Sequence, residues 1–117
     1  MNQKISSEKY AGGILAVANH ISDFCKSGKV LTYLGDKNDE KIFIEQNLSP
    51  NIEFDSIQKI DSSTILKTRF IDSYTNNKIM GVYDLNDNIL STNEEKELND
   101  KLLAYIGDFD IVTVVDY

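Results

Sequence analysis

Two stretches of alternating side chains flank a polar turn between Thr64 and Leu85. Alternation with a period of two is typical of a β-strand whose two faces differ. Asn76 and Asn77 lie between the stretches, and asparagine tolerates the positive φ that a turn needs. The pattern predicts a β-hairpin over about residues 62–87. In its first strand Leu66, Thr68 and Phe70 alternate with Ile65, Lys67, Arg69 and Ile71, and in its second strand Ile79, Gly81, Tyr83 and Leu85 alternate with Met80, Val82 and Asp84.

Two other segments have the apolar spacing of three and four that is typical of an amphipathic helix. The first predicts a helix from Gly13 to Lys26, with Gly28 as its C-terminal cap. The second follows the hairpin, where Thr92 and Glu95 match a capping box and predict the start of a helix that Gly107 ends.

A strand, a helix and a strand are predicted between the first helix and the hairpin. The strands are Lys29 to Leu34 and Asn51 to Gln58, and the less regular helix between them runs from Asp39 to Leu48. Near the end of the sequence, Ile111 to Val115 is apolar without alternation. Such a run predicts a strand buried on both faces of a parallel sheet.

The order of these elements also bears on the limits of the chain. α/β units normally begin on a strand, but this sequence begins on a helix, and the last predicted strand needs neighbours on both sides. We therefore expect further chain before and after this sequence.

Composition narrows the function classes. The chain has 117 residues, 41% hydrophobic and 26% charged, with a formal net charge of −7. One domain over residues 1–117 is expected at this length. Surfaces that bind nucleic acids or anionic membranes need clustered cations. The acidic composition therefore argues against both kinds of surface. The lone Cys25 cannot form an internal disulfide, which favours a reducing, cytoplasmic compartment.

Lys67 and Arg69 are a local exception in this acidic sequence, because both fall on one face of the first hairpin strand. One interpretation is a solvated strand whose basic side chains extend into water. The other is a lid that faces a phosphate or carboxylate group, for which arginine and lysine are suited.

Four groups of segments carry a resemblance to a known family. They are Gly12-Gly13 with Val17-Ala18, Leu34-Gly35 with Asn38-Asp39, Thr64 to Arg69 with Tyr83-Asp84, and Ile111 to Tyr117. In these segments the sequence resembles the PfkB/ribokinase family of sugar kinases, and within it the kinase domains of the ADP-heptose synthase type. The resemblance covers nearly the whole chain, from Ala11 onward.

The resemblance implies an incomplete ribokinase-like, three-layer α/β domain with a mainly parallel sheet and a projecting hairpin lid. It implies a complete enzyme that uses ATP and Mg²⁺ to phosphorylate a sugar hydroxyl, with a heptose phosphate as substrate. Lids of such kinases commonly pair between subunits, so a homodimer through the hairpin is expected. The substrate-binding residues implied are Gly12, Gly13, Asp39, Lys67, Arg69 and Asp116, while Ala16 and His20 stand where the family commonly has asparagine.

The family takes its catalytic base, a Gly-x-Gly-Asp segment and its nucleotide pocket from a further part of the domain. No Gly-x-Gly-Asp segment occurs in this sequence. We therefore expect no catalytic residue in this chain, no cofactor bound by the chain alone and no turnover without the rest of the enzyme.

Two alternatives compete with this interpretation. A calcium-loop pattern is matched by Asp84, Asn86, Asn88, Thr92 and Glu95, but Ile89 occupies the position that requires glycine. His20 is the single histidine, so a zinc site built on histidines is not expected either. No metal site is therefore predicted. The second alternative is a complete small α/β binding or assembly module without catalysis.

Overall fold

The computed structural model describes residues 4–38, 40–85 and 87–116. Predicted residue Asp39 and calcium-pattern residue Asn86 lie outside these described residues, as does Tyr117. The helices and strands, in chain order, are α1 (Ile14–Ile21), β1 (Gly28–Gly35), α2 (Lys41–Gln46), β2 (Ile52–Lys59), β3 (Leu66–Ile71), β4 (Lys78–Asp84) and α3 (Thr92–Tyr105), with short 3₁₀ turns at Ser22–Phe24 and Ile106–Asp108.

The described strands form two separate two-stranded sheets, so the structure is mixed α/β. In the first sheet β1 pairs with β2. The amide of Gly28 donates to the carbonyl of Asn51, and eight residues later the amide of Asp36 donates to the carbonyl of Lys59. Both partners advance in the same direction, so the pair is parallel and α2 is its crossover helix. The predicted strand, helix and strand are confirmed, although α2 is shorter than predicted.

The first helix ends earlier than its apolar pattern predicts. The side-chain amide of Asn51 donates to the carbonyls of Ser22 and Cys25. These two bonds satisfy carbonyl groups that a continuing helix would otherwise use. Gly28 was predicted to cap the helix, and this is wrong, because Gly28 is the first residue of β1.

The chain divides into two compact units. The first contains α1, α2 and the parts of β1 and β2 up to residues 30 and 55. Its core is formed by Ala18, Val30 and Ile52, with five partly buried neighbours. Cys25, a free cysteine, is one of those neighbours.

The second unit contains the remainder of β1 and β2, the hairpin and α3. Ile57 and Ser62 are its most deeply buried side chains, each 1% exposed. Among the described residues, no helix is both long and apolar enough to cross a membrane.

The hairpin is confirmed as an antiparallel pair of β3 and β4. Asp72 closes the turn, since its carboxylate accepts hydrogen bonds from the amides of Tyr74 and Thr75. Of the two asparagines predicted at the turn, Asn76 has a positive φ, 56°, and Asn77 does not. Hydrogen bonding of Asp72 to Thr75, and to Tyr74, lowers the pKa of this carboxyl below its ordinary value.

Helix α3 begins with a capping box that is one residue earlier than predicted. The hydroxyl of Ser91 accepts from the amide of Glu94, and the Glu94 carboxylate accepts from the amide of Ser91. The assignment to Thr92 and Glu95 was therefore wrong, although both pairs match the same four-residue pattern.

The predicted strand from Ile111 to Val115 is absent from the described structure. Its residues have no strand assignment, and Ile111 and Val114 are 82% and 86% exposed. A strand needs a backbone partner. Within the described part of the chain, β1 and β2 pair only with each other, so this run has none.

Candidate functional site

The register of the hairpin fixes which side chains share a face. Lys67 lies opposite Tyr83, and Arg69 lies opposite Gly81. Residues directly opposite each other point to the same side of a sheet. Lys67 and Arg69 therefore share one face, as the alternation predicted, and the register adds Tyr83 to that face. We call this side the cationic face and define it by Lys67, Arg69, Lys78, Gly81 and Tyr83.

Lys78 joins the cationic face because of a bulge that the sequence pattern did not predict. Phe70 pairs with Met80 but Ile71 pairs with Lys78, so Ile79 is an extra residue in β4. One extra residue reverses the alternation, so the side chain on its far side, here Lys78, points to the opposite face. The alternation alone would have placed Lys78 on the other face, with Met80.

Tyr83 and Gly81 form the surface over which the lysine side chains extend. The Nζ atoms of Lys67 and Lys78 each lie 5.9 Å from the centroid of the Tyr83 ring. A Cβ atom at Gly81 would lie 3.2 Å from both Cε and Nζ of Lys78. Glycine therefore leaves the space that lets the Lys78 side chain extend along β4 toward Tyr83.

The opposite face of the hairpin is mostly apolar, with Thr68 and Asp84 as its polar members. It carries four half-exposed side chains, and we call it the apolar face: Leu66 (43% exposed), Phe70 (45%), Met80 (51%) and Val82 (50%). Two further apolar side chains of the hairpin lie on the cationic face instead, where Ile71 pairs with Lys78 and Tyr83 pairs with Lys67.

The entry to the hairpin is tied to the loop that follows β1. The amide of Gly35 donates to the hydroxyl of Thr64, and the side-chain oxygen of Asn38 accepts from the amide of Thr64. Asp36 accepts from the amides of Asp61 and Ser62. We call this set of contacts the hairpin anchor. It holds the residues that lead into β3, and so it supports the position of Lys67 and Arg69.

The anchor makes stability depend on the ionisation of Asp36. Hydrogen bonds from the amides of Ser62 and Asp61 lower the pKa of this carboxyl below its ordinary value of 3.8. A lowered folded-state pKa contributes stability that is complete above the unfolded pKa and is lost as pH falls toward the folded pKa. We expect Asp36→Asn to be less stable than the wild type at neutral pH, and this difference to narrow below about pH 4.

Thermal melts followed by circular dichroism between about pH 7 and about pH 3 measure this narrowing. Asp23→Asn, on the exposed 3₁₀ turn, is a control with the same change of charge. A constant difference between Asp36→Asn and the wild type over the whole range would contradict the role assigned to the carboxylate.

Lys59 and Glu94 are buried ionisable residues that the sequence analysis missed. They are 4% and 8% exposed. The Lys59 ammonium donates to the carbonyl of Asn88 and lies 5.2 Å from the Tyr33 ring centroid. Hydrogen bonds from the amides of Ile60 and Ser91 lower the pKa of Glu94. Both side chains hold the start of α3 to the end of β2, so we assign them a structural role.

Each of these two residues could have been identified from its own signal in the sequence. Lys59 follows Ile57 at a spacing of two, which places it on the buried face of β2. Glu94 stands three residues after Ser91, which is the spacing of a capping box.

The double glycine belongs to the first unit. Gly13 is the residue before α1 and has φ 58° and ψ −134°, a conformation that side chains other than glycine rarely adopt. Gly12 is exposed, and a Cβ there would meet no atom within 4 Å. The backbone at this turn is thus open to close approach.

The remaining predicted residues are distributed between the units. Lys67 and Arg69 lie together in the second unit, while Gly12, Gly13 and the exposed Asp116 belong to the first. Asp39 is not among the described residues. Across the part of the chain that is described, no group of three or more His, Cys, Asp or Glu side chains could hold a metal ion.

Comparison with known proteins adds no further assignment. The chain matches no protein-family model, no curated protein and no solved structure. The functional assignment therefore depends on the hairpin, its anchor and the sequence resemblance.

Proposed function

We propose that this chain is the substrate-binding and lid portion of a cytoplasmic, ribokinase-like carbohydrate kinase. The complete enzyme transfers phosphate from ATP to a hydroxyl of a sugar, a heptose phosphate, in sugar-nucleotide synthesis of the ADP-heptose type. The observation that carries the proposal is the cationic face of the hairpin in a chain of net charge −7. The glycine conformation at Gly13 and the parallel β1–α2–β2 unit support it.

The residues of this chain would act by binding and orienting the sugar phosphate. Lys67 and Arg69 would donate hydrogen bonds to its phosphate group, since ionised donors form the stronger hydrogen bonds to phosphate oxygens. The resemblance also implies that Gly12, Gly13, Asp39 and Asp116 bind the substrate.

We propose that ATP and Mg²⁺ bind to parts of the complete enzyme outside this chain. The sequence has no Gly-x-Gly-Asp segment, and no cluster of metal-ligating side chains occurs among the described residues. In this proposal both groups are held by other parts of the complete enzyme, so the chain alone is inactive.

In the complete kinase, Lys67→Ala and Arg69→Ala are each expected to raise the KM for the sugar phosphate roughly tenfold, since a charge-assisted hydrogen bond contributes about 1.5–3 kcal/mol. The KM for ATP should change much less. Initial-rate kinetics with each substrate varied in turn measure both constants.

Lys26→Ala, an exposed lysine in the first unit, is the control for the loss of one positive charge. If Lys67→Ala and Arg69→Ala raise both KM values equally, or change neither, the interpretation of Lys67 and Arg69 as residues of a solvated strand is favoured.

A second candidate function is favoured by the apolar face. Four half-exposed apolar side chains on one sheet face suit a small binding or assembly module without catalysis. The coding sequence beyond the codon for Tyr117 separates the two candidates. A Gly-x-Gly-Asp segment there supports the kinase, and an immediate stop codon supports the module.

A further inference from the structure

We propose that Lys78 completes a three-cation site with Lys67 and Arg69 and that this site binds the phosphate group of a phosphorylated ligand. The identification of the ligand as a sugar phosphate rests on the proposed function. The binding of a phosphate group by these three residues does not depend on the proposed function.

The first argument is geometric. The β4 bulge brings Lys78 to the side of the sheet on which Lys67 and Arg69 lie. The two lysine Nζ atoms are equally distant, at 5.9 Å, from the Tyr83 ring centroid. Arg69 lies directly across from Gly81, the residue over which Lys78 extends. Three cationic residues therefore lie on the same side of the sheet as Gly81, a position without a side chain of its own.

The second argument is electrostatic. Four other lysines in the described structure have a carboxylate within salt-bridge distance, namely Lys29, Lys37, Lys41 and Lys96. Among the described residues, no carboxylate lies at that distance from Lys67, Arg69 or Lys78. Three like charges on one short strand pair repel each other, and a bound dianion would offset this repulsion.

The third argument concerns the class of ligand. A phosphate monoester has three terminal oxygens and carries nearly two negative charges at neutral pH. It can accept hydrogen bonds from two ammonium groups and a guanidinium at once, whereas a carboxylate has two oxygens and one charge. The Tyr83 hydroxyl, 3.4 Å from the position of a Cβ at Gly81, is a further donor at this surface. The site should therefore prefer phosphate to carboxylate.

The test is a titration of the ¹⁵N-labelled 117-residue chain with inorganic phosphate at constant ionic strength, followed by amide shifts of β3 and β4. We expect Lys78→Gln to weaken phosphate binding about fivefold, which is typical of one exposed ionic contact. Lys26→Gln removes the same charge elsewhere and should leave the affinity unchanged.

Gly81→Ala tests the geometry without changing any charge. A Cβ at this position would crowd Lys78, so this variant should also weaken phosphate binding. Amide spectra of the free variants establish that each is folded. If Lys26→Gln weakens binding as much as Lys78→Gln, or if acetate produces the same shifts as phosphate, the site is overturned.

Additional titrations with mannose 6-phosphate and with mannose separate the site from the proposed function. Equal affinity for mannose 6-phosphate and inorganic phosphate, with dependence on Lys78, supports the three-cation site and removes support for a sugar subsite. Tighter binding of the sugar phosphate supports both. Failure of both phosphate probes to shift the hairpin amides overturns the three-cation site, whatever the activity of the complete enzyme.

Discussion

Replacement of Gly35 by alanine is expected to lower the free energy of unfolding by about 3 kcal/mol, the upper part of the range for an overpacked core. Gly35 is the last residue of β1 and is buried. A Cβ there would overlap backbone atoms of Ser62, Ser63 and Thr64. Backbone cannot rotate away as a flexible side chain can, so the two segments must separate. Separation breaks the hydrogen bonds of the hairpin anchor.

Urea denaturation followed by circular dichroism measures this loss, and amide exchange of β3 shows whether it is concentrated at the hairpin. Gly107→Ala is the matched control, because a Cβ at Gly107 would meet no atom within 4 Å. Its stability should stay within about 1 kcal/mol of the wild type or rise slightly. Similar stabilities of Gly35→Ala and Gly107→Ala would show that the anchor tolerates separation of these segments.

The periodic elements of the fold were predictable because their signal is local. Alternation identified β2 and both hairpin strands, and apolar spacing identified α1 and α3. Element boundaries were less predictable. Ser91 with Glu94 and Thr92 with Glu95 match the same capping pattern, and only the contact of Glu94 with the amide of Ile60 distinguishes them. That contact joins residues far apart in sequence.

The predicted strand at Ile111 to Val115 failed for a different reason. The segment is apolar, but a continuous apolar run forms a buried strand only where neighbouring strands are present to pair with it. The described structure supplies none, and Ile111 and Val114 are exposed instead. Composition alone therefore cannot distinguish a buried strand from an extended segment without a partner.

The candidate site was predicted in part. Lys67 and Arg69 followed from alternation, whereas Lys78 did not, because a bulge carries no period that could be read from the sequence. The hairpin anchor was missed as well. Its bonds join the side chains of Asp36 and Asn38 to backbone amides about 25 residues away, a relation that depends on tertiary structure.

The apolar face leads to the second large effect, on self-association. We propose that two copies pair through this face, because the cations lie on the opposite side and would not be brought together. Each of the four side chains exposes on the order of 100 Å². This gives about 400 Å² per copy, half of a standard interface, so the dimer should be weak and form at high concentration.

We expect Phe70→Lys combined with Val82→Lys to abolish the dimer, because each charge would lose its water in the interface and face its symmetry copy. Sedimentation equilibrium over a range of protein concentrations measures the loss. The control is Ile71→Lys with Ile79→Lys, which adds the same charge on the cationic face and at the bulge. A dimer that survives the first pair and is lost with the second would place the interface on the cationic face. That result would also conflict with phosphate binding there, because one surface cannot be covered by a second copy and remain open to a ligand.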